Sequence, residues 1–250
     1  MSPGRSILID ADLPCASGLE IAMRVKGQGD PLLLLNGLTR PLESWDPFVG
    51  ALPGRTIVSF DTPGIGGSPT PARPLSITEL ATIAGTVLDA AGLKGADVLG
   101  YSHGGAIAQE MAHRMPGRVH RLVLAATSCG LGATPGNQRD LLRSLGSPVD
   151  ASPWPIPDAL GLLWQSLAVS NWSSIPFLGS IQTPTLVVSG SRDRVVPPSN
   201  SRVLARRIPH SSLVMLPGTG HNLQRQDTAK ALAIAVERFR SIDSATERPA

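Results

Sequence analysis

The stretch "ADVLGYSHGGAIAQEMAHRM" (residues 96–115) joins a short apolar run to a helical pattern through a serine that stands between glycines. Residues 96–100 are typical of a buried strand, and residues 103–115 of a helix that ends before Pro116. Ser102 is therefore expected on a tight strand-to-helix turn, where bulky side chains two residues before and after it would collide. Such a turn holds a serine hydroxyl above the carboxyl ends of the strands, where open α/β sheets bind their ligands.

The rest of the chain repeats this alternation of strand and helix. Continuous apolar runs predict strands covered on both faces, as in a parallel sheet with helices on each side. The runs are "PLLLLN" (31–36), "RTIVSF" (55–60), "HRLVLAAT" (120–127), "PTLVVSG" (184–190) and "SSLVMLP" (211–217). Segments 7–13 and 19–25 alternate more clearly and predict an antiparallel edge pair, while 76–93 and 227–241 are typical of helices. The sequence thus predicts a doubly wound, mostly parallel α/β sheet.

The interval from residue 130 to residue 182 interrupts the alternation, because no clear strand falls within it. It contains a proline-rich segment, an apolar helical pattern and three of the four tryptophans. We expect a short helical lid over the strand ends, inserted in the main domain. Its tryptophans, Trp154, Trp164 and Trp172, are candidates for the substrate pocket. The alternative is an irregular connection that buries these tryptophans against the core.

A serine hydroxyl becomes a good nucleophile only beside a base, and that base needs a carboxylate to orient it. In this architecture the acid and then the histidine follow the serine along the chain, each in a loop after a later strand. Asp193 follows the run at 184–190, and His221 follows the run at 211–217. We therefore predict Ser102 as the nucleophile, Asp193 as the orienting acid and His221 as the base.

A negative charge that develops on the substrate oxygen needs backbone N–H donors, which form an oxyanion hole. One donor is expected from His103, directly after the nucleophile, and the other from the loop after the strand at 31–36. In this loop, "NGLT", the Leu38 N–H is the predicted second donor. The imidazole of His103 is expected to face the pocket. Further pocket candidates in the loop are Asn36, Gly37 and Thr39.

Composition limits the other classes of function. The chain has 250 residues, 42% of them hydrophobic, and a formal net charge of +3, which fits one globular domain over residues 1–250. The densest basic cluster, Arg202, Arg206 and Arg207, lacks interleaved aromatic residues, so we expect no nucleic-acid partner. Cys15 and Cys129 lack metal-ligand spacing. Apolar runs fall far short of the roughly 20 residues of a membrane span, and no secretory signal is evident, so we expect a cytoplasmic protein.

These residues and motifs resemble the α/β-hydrolase superfamily over nearly the whole chain. Within it, the sequence is most similar to intracellular poly(3-hydroxyalkanoate) depolymerases. The matching stretches are "LLLLNGLTRPLESWDPFVGAL", "FDTPGIGGSPTP", "GGAIAQEMAHRMP", "WQSLAVSNWSSIPFL" and "TPTLVVSGSRDRVVPPSNSRVLARRIP". The resemblance implies an α/β-hydrolase fold and cleavage of ester bonds between 3-hydroxyacyl units at the surface of storage granules in a bacterial cell. It also implies that neither a metal nor an organic cofactor takes part.

Two other interpretations remain open. The chain could act on a different substrate, as a small-molecule carboxylesterase, a lactonase, a perhydrolase-like enzyme or a carbon–carbon bond hydrolase. Alternatively, it could be a receptor that keeps the fold without catalysis, because function resides in the site and not in the fold. Neither the oligomeric state nor the acyl chain length of a substrate follows from the sequence.

Overall fold

A computed structural model describes residues 5–9, 18–146 and 158–246. Eight strands in these ranges form one sheet, in the order β1-β2-β4-β3-β5-β6-β7-β8. They are β1 (Arg5–Ile9), β2 (Leu19–Lys26), β3 (Asp30–Leu35), β4 (Arg55–Phe60), β5 (Ala96–Tyr101), β6 (Val119–Ala125), β7 (Thr185–Gly190) and β8 (Ser211–Leu216). Strand β2 pairs antiparallel with β1 and β4, and the other neighbouring strands are parallel. The predicted doubly wound, mostly parallel sheet is confirmed.

The helices lie between the strands and cover both faces of the sheet. They are α1 (Asp46–Gly50), α2 (Ile77–Ala90), α3 (His103–Arg114), α4 (Gln138–Gly146), α5 (Ala159–Ser170), α6 (Pro198–Arg207) and α7 (Gln226–Thr246). Short 3-10 turns occur at Leu42–Trp45, Pro116–Arg118 and Leu178–Ser180. Helix α2 begins with a capping box, in which the Ser76 hydroxyl and the Glu79 carboxylate each accept a hydrogen bond from the other residue's backbone N–H.

The apolar runs of the central strands supply two core layers. In β3, Leu33 and Leu35 pack with helices α2 and α3 on one face of the sheet. Leu32 and Leu34 point to the other face, where the second layer includes Trp45 and residues of α7. Successive side chains of a strand point to opposite faces, so a strand covered on both sides is apolar at every position. This geometry explains why the central strands do not alternate between apolar and polar residues.

The edge strand begins two residues earlier than the sequence predicts. The first strand covers Arg5–Ile9, whereas the sequence predicts 7–13. It pairs antiparallel with β2, as expected, through partners such as Ile7 and Ile21. Residues 10–17 lie outside the described residues.

The interval from 130 to 182 leaves the sheet and returns to the same place. A β-bridge joins Gly130 to Ser173, and the Leu131 N–H donates to the Trp172 carbonyl at 2.8 Å. Between these points the described residues form α4 and α5, and none of them adds a strand to the sheet. Because the two ends of this segment lie side by side, the segment can be inserted between β6 and β7 without changing the order of the strands.

Helix α5 lies on the loop that follows β4. The Trp164 indole N–H donates to the Pro71 carbonyl at 3.1 Å, and the Gln165 side-chain amide donates to the Pro63 carbonyl at 3.2 Å. A Cβ atom on Gly161 would come within 2.2 Å of the Gly64 carbonyl oxygen, so glycine at this position allows the helix to touch the loop. These contacts hold α5 above the carboxyl end of β4.

A buried ion pair lies at the opposite, amino end of the strands. Arg55 at the start of β4 contacts Asp97 of β5 at 2.6 Å, and their side chains are 1% and 8% exposed. Arg121 also lies 3.5 Å from Asp97, and Glu237 of α7 lies 3.1 Å from Arg55. Because Ser102 lies past the other end of β5, this cluster fastens strands and helix α7 together rather than serving the predicted site.

Replacing Asp97 with asparagine is expected to lower the free energy of unfolding by about 3–5 kcal/mol, because it leaves a buried guanidinium without its main countercharge. Urea unfolding followed by circular dichroism would measure the change. Asp89→Asn is the matched control, since its ion pair with Arg118 has a carboxylate that is 64% exposed. That variant should lose at most about 1 kcal/mol. Equal losses in the two variants would contradict the prediction.

Candidate active site

Ser102 is the single residue between the end of β5 and the start of α3. Its backbone has φ 52° and ψ −115°, a strained conformation for a residue with a side chain. Cβ atoms on the flanking glycines would lie 2.4 Å from the Gly104 carbonyl oxygen, for Gly100, and 2.2 Å from the Leu35 carbonyl oxygen, for Gly104. Both positions therefore require glycine, which is the steric reason for the motif.

The structure brings the three predicted residues together at the carboxyl edge of the sheet. His221, in the loop after β8, has its Nε2 atom 3.1 Å from Ser102 Oγ. Its Nδ1 atom is 2.8 Å from Oδ2 of Asp193, in the loop after β7. Both distances are within hydrogen-bonding range, so the three side chains form one continuous chain of hydrogen bonds.

The Asp193 carboxylate is fixed from two sides. Its Oδ1 atom accepts hydrogen bonds from the backbone N–H groups of Val195 and Val196, at 2.9 and 2.8 Å. Its side chain is fully buried, and its Oδ2 atom faces His221. An ionised carboxylate can only accept hydrogen bonds, so His221 Nδ1 must carry the imidazole proton. Nε2 is then unprotonated and can accept the proton of the Ser102 hydroxyl.

Tyr101 contacts His221 through both its hydroxyl group and its ring. Its hydroxyl donates to the His221 carbonyl at 3.2 Å, and the two rings are tilted with centroids 5.4 Å apart. Burial raises the pKa of Tyr101 well above its ordinary value, so the phenol remains a protonated donor. The sequence analysis did not identify Tyr101 as a site residue, although its position directly before Ser102 indicates that it lies close to the site.

The predicted oxyanion loop is a tight turn. The Arg40 N–H donates to the Gly37 carbonyl at 3.2 Å, and Thr39 has φ 63°, the positive value found at the third residue of a type II turn. Leu38 lines the same cavity as Ser102 and His221. The His103 N–H belongs to the first turn of α3, where backbone donors have no partner within the helix. Both predicted donors therefore border the serine.

A small cavity of about 20 Å³ lies beside Ser102. Of the predicted pocket residues, only Gly37 lines it among those that the structure describes, whereas Asn36, Thr39, Trp164 and Trp172 do not; Leu38, the predicted oxyanion donor, also lines it. Trp154 lies outside the described residues. The sequence analysis missed four further lining residues, which come from the turn, from β5 and from helix α4. These residues are Arg40, Tyr101, Leu141 and Ser144.

Asn36 has a positioning role instead of facing the cavity. It is 2% exposed, and its Oδ1 atom accepts hydrogen bonds from the Gln224 amide at 2.7 Å and the Ser44 hydroxyl at 3.1 Å. Its Nδ2 group donates to the Pro41 carbonyl at 2.8 Å. Since Gln224 lies three residues after His221, Asn36 links the oxyanion loop to the histidine loop.

Comparison with known proteins identifies the family of this arrangement. The sequence matches the alpha/beta hydrolase fold family over residues 30–146 and 155–228. The chain belongs to the α/β-hydrolase fold family. It is 35% identical over 239 residues to a poly(3-hydroxyalkanoate) depolymerase of Ectopseudomonas oleovorans, covering 84% of this chain and 83% of the relative. It is 30% identical to a 2-hydroxymuconate semialdehyde hydrolase of Pseudomonas putida, covering 94% and 93%.

The solved structures agree with this assignment to the α/β-hydrolase fold. A hydrolase from Pseudomonas aeruginosa PA01 superposes with a TM-score of 0.83 at 26% identity, covering 96% of this chain and 98% of that one. The predicted resemblance to α/β-hydrolases, with the likeness to poly(3-hydroxyalkanoate) depolymerases, is thereby confirmed. Relatives of this hydrolase fold that act on esters include a 3-oxoadipate enol-lactonase of Acinetobacter baylyi, which is 27% identical.

Two of the predicted tryptophans, Trp164 and Trp172, hold the segment over the site against the main domain of this hydrolase fold. The Trp172 indole N–H donates to Glu110 of α3 at 2.9 Å, and the ring packs edge-on against Phe177. Trp164 is bonded to Pro71, as described above. Thus the alternative interpretation, burial against the core, describes Trp172, whereas Trp164 fastens α5 to the neighbouring loop.

No cluster of His, Cys, Asp and Glu side chains in the described ranges could hold a metal ion. Within those same ranges, no helix is both long enough and apolar enough to cross a membrane.

The prediction that the His103 imidazole faces the pocket is wrong, because the ring does not line the cavity and is buried against Gln165 of helix α5. His103 is 4% exposed, and neither ring nitrogen makes a well-formed hydrogen bond with another described residue. Burial lowers its pKa to about 4, and a weak contact with the Gln165 main chain opposes this effect only in part. The neutral ring is therefore the form that the fold accommodates.

Acidification should destabilise the protein through His103. Its pKa is lowered from an ordinary 6.5 to about 4, so its contribution is complete above pH 6.5 and is lost as the pH falls toward 4. The loss amounts to about 3 kcal/mol. The buried carboxyl of Asp61, whose pKa burial raises to about 6, has the opposite sign and gains stability over a similar range.

The measurement must therefore compare variants rather than follow the wild type alone. Denaturant unfolding at pH 7 and pH 4 of the wild type and of His103→Met isolates the histidine, because Asp61 is common to both proteins. We expect the wild type to lose about 3 kcal/mol relative to the variant over this interval. Parallel curves would contradict the assignment of the shift to His103.

Proposed function

We propose that this chain is a serine hydrolase that cleaves ester bonds of apolar acyl or 3-hydroxyalkanoate substrates through an acyl-enzyme. The observation that carries the proposal is the hydrogen-bonded chain from Asp193 through His221 to Ser102, with links of 2.8 and 3.1 Å. It lies at a strained strand-to-helix turn, next to a cavity and two backbone donors. This combination meets the geometric requirements of nucleophilic acyl transfer.

In the first half of the reaction, Ser102 Oγ attacks the ester carbonyl carbon while its proton passes to His221 Nε2. The N–H groups of Leu38 and His103 stabilise the negative charge on the tetrahedral oxygen. When this intermediate collapses, the ester C–O bond breaks and the leaving alkoxide takes the proton from Nε2. The acyl group is then attached to Ser102 as an ester.

In the second half, a water molecule attacks the acyl carbon and gives a proton to His221 Nε2. Collapse of the second tetrahedral intermediate releases the carboxylic acid and returns the proton to Ser102 Oγ. The Asp193 carboxylate keeps Nδ1 protonated and stabilises the imidazolium that forms in each half. The overall reaction consumes one water and yields an alcohol and an acid.

The polyester part of the proposal rests on the relatives and on the segment over the site. The depolymerase relative is 35% identical over 84% of this chain and 83% of its own length. We propose residues 130–182 as a lid, because α4 lines the cavity and α5 lies on the loop after β4. The outer face of α5 exposes Leu160, Leu163 and Leu167, which suits contact with an apolar granule surface in a bacterial cytoplasm.

A second candidate function is hydrolysis of small soluble esters or lactones. The observation that favours it is the small size of the cavity beside Ser102, about 20 Å³, which leaves little room for a polymer segment. The semialdehyde hydrolase and the enol-lactonase among the relatives are named for small substrates.

Turnover of p-nitrophenyl esters with acyl chains from acetyl to decanoyl, beside emulsified medium-chain polyester, tests both candidates. The polyester proposal predicts rising kcat/KM with chain length and release of 3-hydroxy acids from the polymer. Fast cleavage of short esters with no release from polymer would favour the second candidate. Covalent labelling of Ser102 by a fluorophosphonate without turnover of any ester would instead indicate a non-catalytic receptor.

A further inference from the structure

The cavity beside Ser102 carries a positive charge in its wall. Arg40 lines it together with Leu38 and His221, two residues that border the reacting serine. No acidic side chain of the described residues lines this cavity; the remaining walls are Gly37, Tyr101, Leu141 and Ser144. The proposed reaction through Ser102, His221 and Asp193 makes no use of this cation.

The guanidinium is both desolvated and fixed. Arg40 is 6% exposed, and burial lowers its pKa, an effect that the Tyr101 phenol opposes. Arginine nonetheless stays protonated at neutral pH, so the charge persists in a partly water-excluded place where its field is strong. Its Nη2 group donates to the Ser144 carbonyl of helix α4 at 2.9 Å, and its backbone is held in the turn of the oxyanion loop.

We infer that Arg40 binds a carboxylate of the substrate, and that the preferred substrates are esters carrying a free carboxylate near the scissile bond. The planar guanidinium matches a carboxylate in bidentate geometry, and an apolar ester alone would gain nothing from a buried cation. This inference rests on the proposed function and narrows its substrate class. For 3-hydroxyalkanoates it selects soluble oligomers and the acid end of a chain.

At the acid end, the leaving group of the last ester bond is a 3-hydroxy acid with its carboxylate close to the bond. Attack by Ser102 breaks that bond and releases one 3-hydroxy acid, while the rest of the oligomer stays on the serine as an acyl group. Water then frees this group as a shorter oligomer with a new terminal carboxylate. Because each product presents the group that Arg40 recognises, cleavage can proceed stepwise from the acid end.

The test uses one pair of substrates that differ only in charge. They are the linear dimer of 3-hydroxyoctanoic acid as the free acid and the same dimer with its carboxyl group converted to a primary carboxamide. We expect wild-type kcat/KM to be about 10-fold to 100-fold higher for the free acid, as for a lost charge-assisted hydrogen bond. In Arg40→Gln this ratio should fall to near one, and in Arg40→Lys it should lie between.

Arg143→Gln is the matched control, because its side chain lies on the same helix α4 as Ser144 but is 78% exposed and outside the cavity. It removes the same charge and should keep the wild-type ratio. A wild-type ratio near one would overturn the inference. An equal loss of kcat/KM for both dimers in Arg40→Gln would also overturn it, because it would show that Arg40 serves only to hold helix α4 in place. If the wild type cleaves neither dimer nor any p-nitrophenyl ester, the proposed function fails as well.

Discussion

Ser102→Ala is expected to lower kcat for any ester substrate by about a million-fold, while KM changes little. The variant removes the only atom that forms the acyl-enzyme bond, and the remaining N–H donors and cavity leave a small residual rate. Alanine is expected to adopt the strained turn as serine does, because both residues carry a single Cβ atom at a φ of 52° and the Ser102 hydroxyl caps no N–H group of α3. The fold should therefore be retained.

Ser128→Ala provides the control for this variant. Ser128 lies in the loop after β6, and its hydroxyl accepts a hydrogen bond from the Gly130 N–H at 3.3 Å without touching His221. Steady-state hydrolysis of a p-nitrophenyl ester, with mass spectrometry of the fluorophosphonate adduct, measures both variants. If Ser102→Ala retains more than about a thousandth of wild-type kcat, the nucleophile has been assigned wrongly.

Asp193→Asn is expected to lower kcat by about ten-thousand-fold with little effect on stability. An asparagine carbonyl can still accept from Val195 and Val196, so the loop keeps its shape. Its amide group then faces His221 Nδ1 and donates to it, which places the imidazole proton on Nε2. A protonated Nε2 cannot take the proton of Ser102, and catalysis is lost although every side chain remains in place.

The control for this effect is Asp227→Asn, because the Asp227 side chain is 73% exposed and belongs to the first turn of α7. We expect wild-type kcat for it. Measuring the free energy of unfolding of Asp193→Asn beside kcat separates the tautomer effect from damage to the loop. A loss of kcat below about tenfold would show that Asp193 does not orient His221.

The contacts around the oxyanion loop suggest how the site is kept rigid. Asn36 joins this loop to Gln224, and Tyr101 joins β5 to the His221 backbone. The first link is buried and the second is partly buried, and both connect segments that lie more than a hundred residues apart in the chain. Because the reacting atoms must be held within a fraction of an ångström, such supports set the precision of the serine–histidine contact.

The sequence determined the features that depend on local chemistry. Apolar runs, turn residues and the glycines around Ser102 predicted the sheet and the strand-to-helix turn, because strand and helix patterns repeat over a few residues. The order of acid and histidine after the serine followed from the architecture, and the structure brings Ser102, Asp193 and His221 together. Their roles in catalysis remain predictions that the variants above would test.

Only the tertiary structure decided which side chains line the cavity and which ones instead connect distant segments of the chain. Nothing in the local pattern shows that Arg40 meets Ser144 of α4, that Asn36 binds Gln224, or that Trp172 donates to Glu110. These contacts join distant segments, and each depends on how whole elements pack rather than on the residues beside it. A local pattern specifies where the backbone turns, whereas the surroundings of a side chain are set by packing across the sheet.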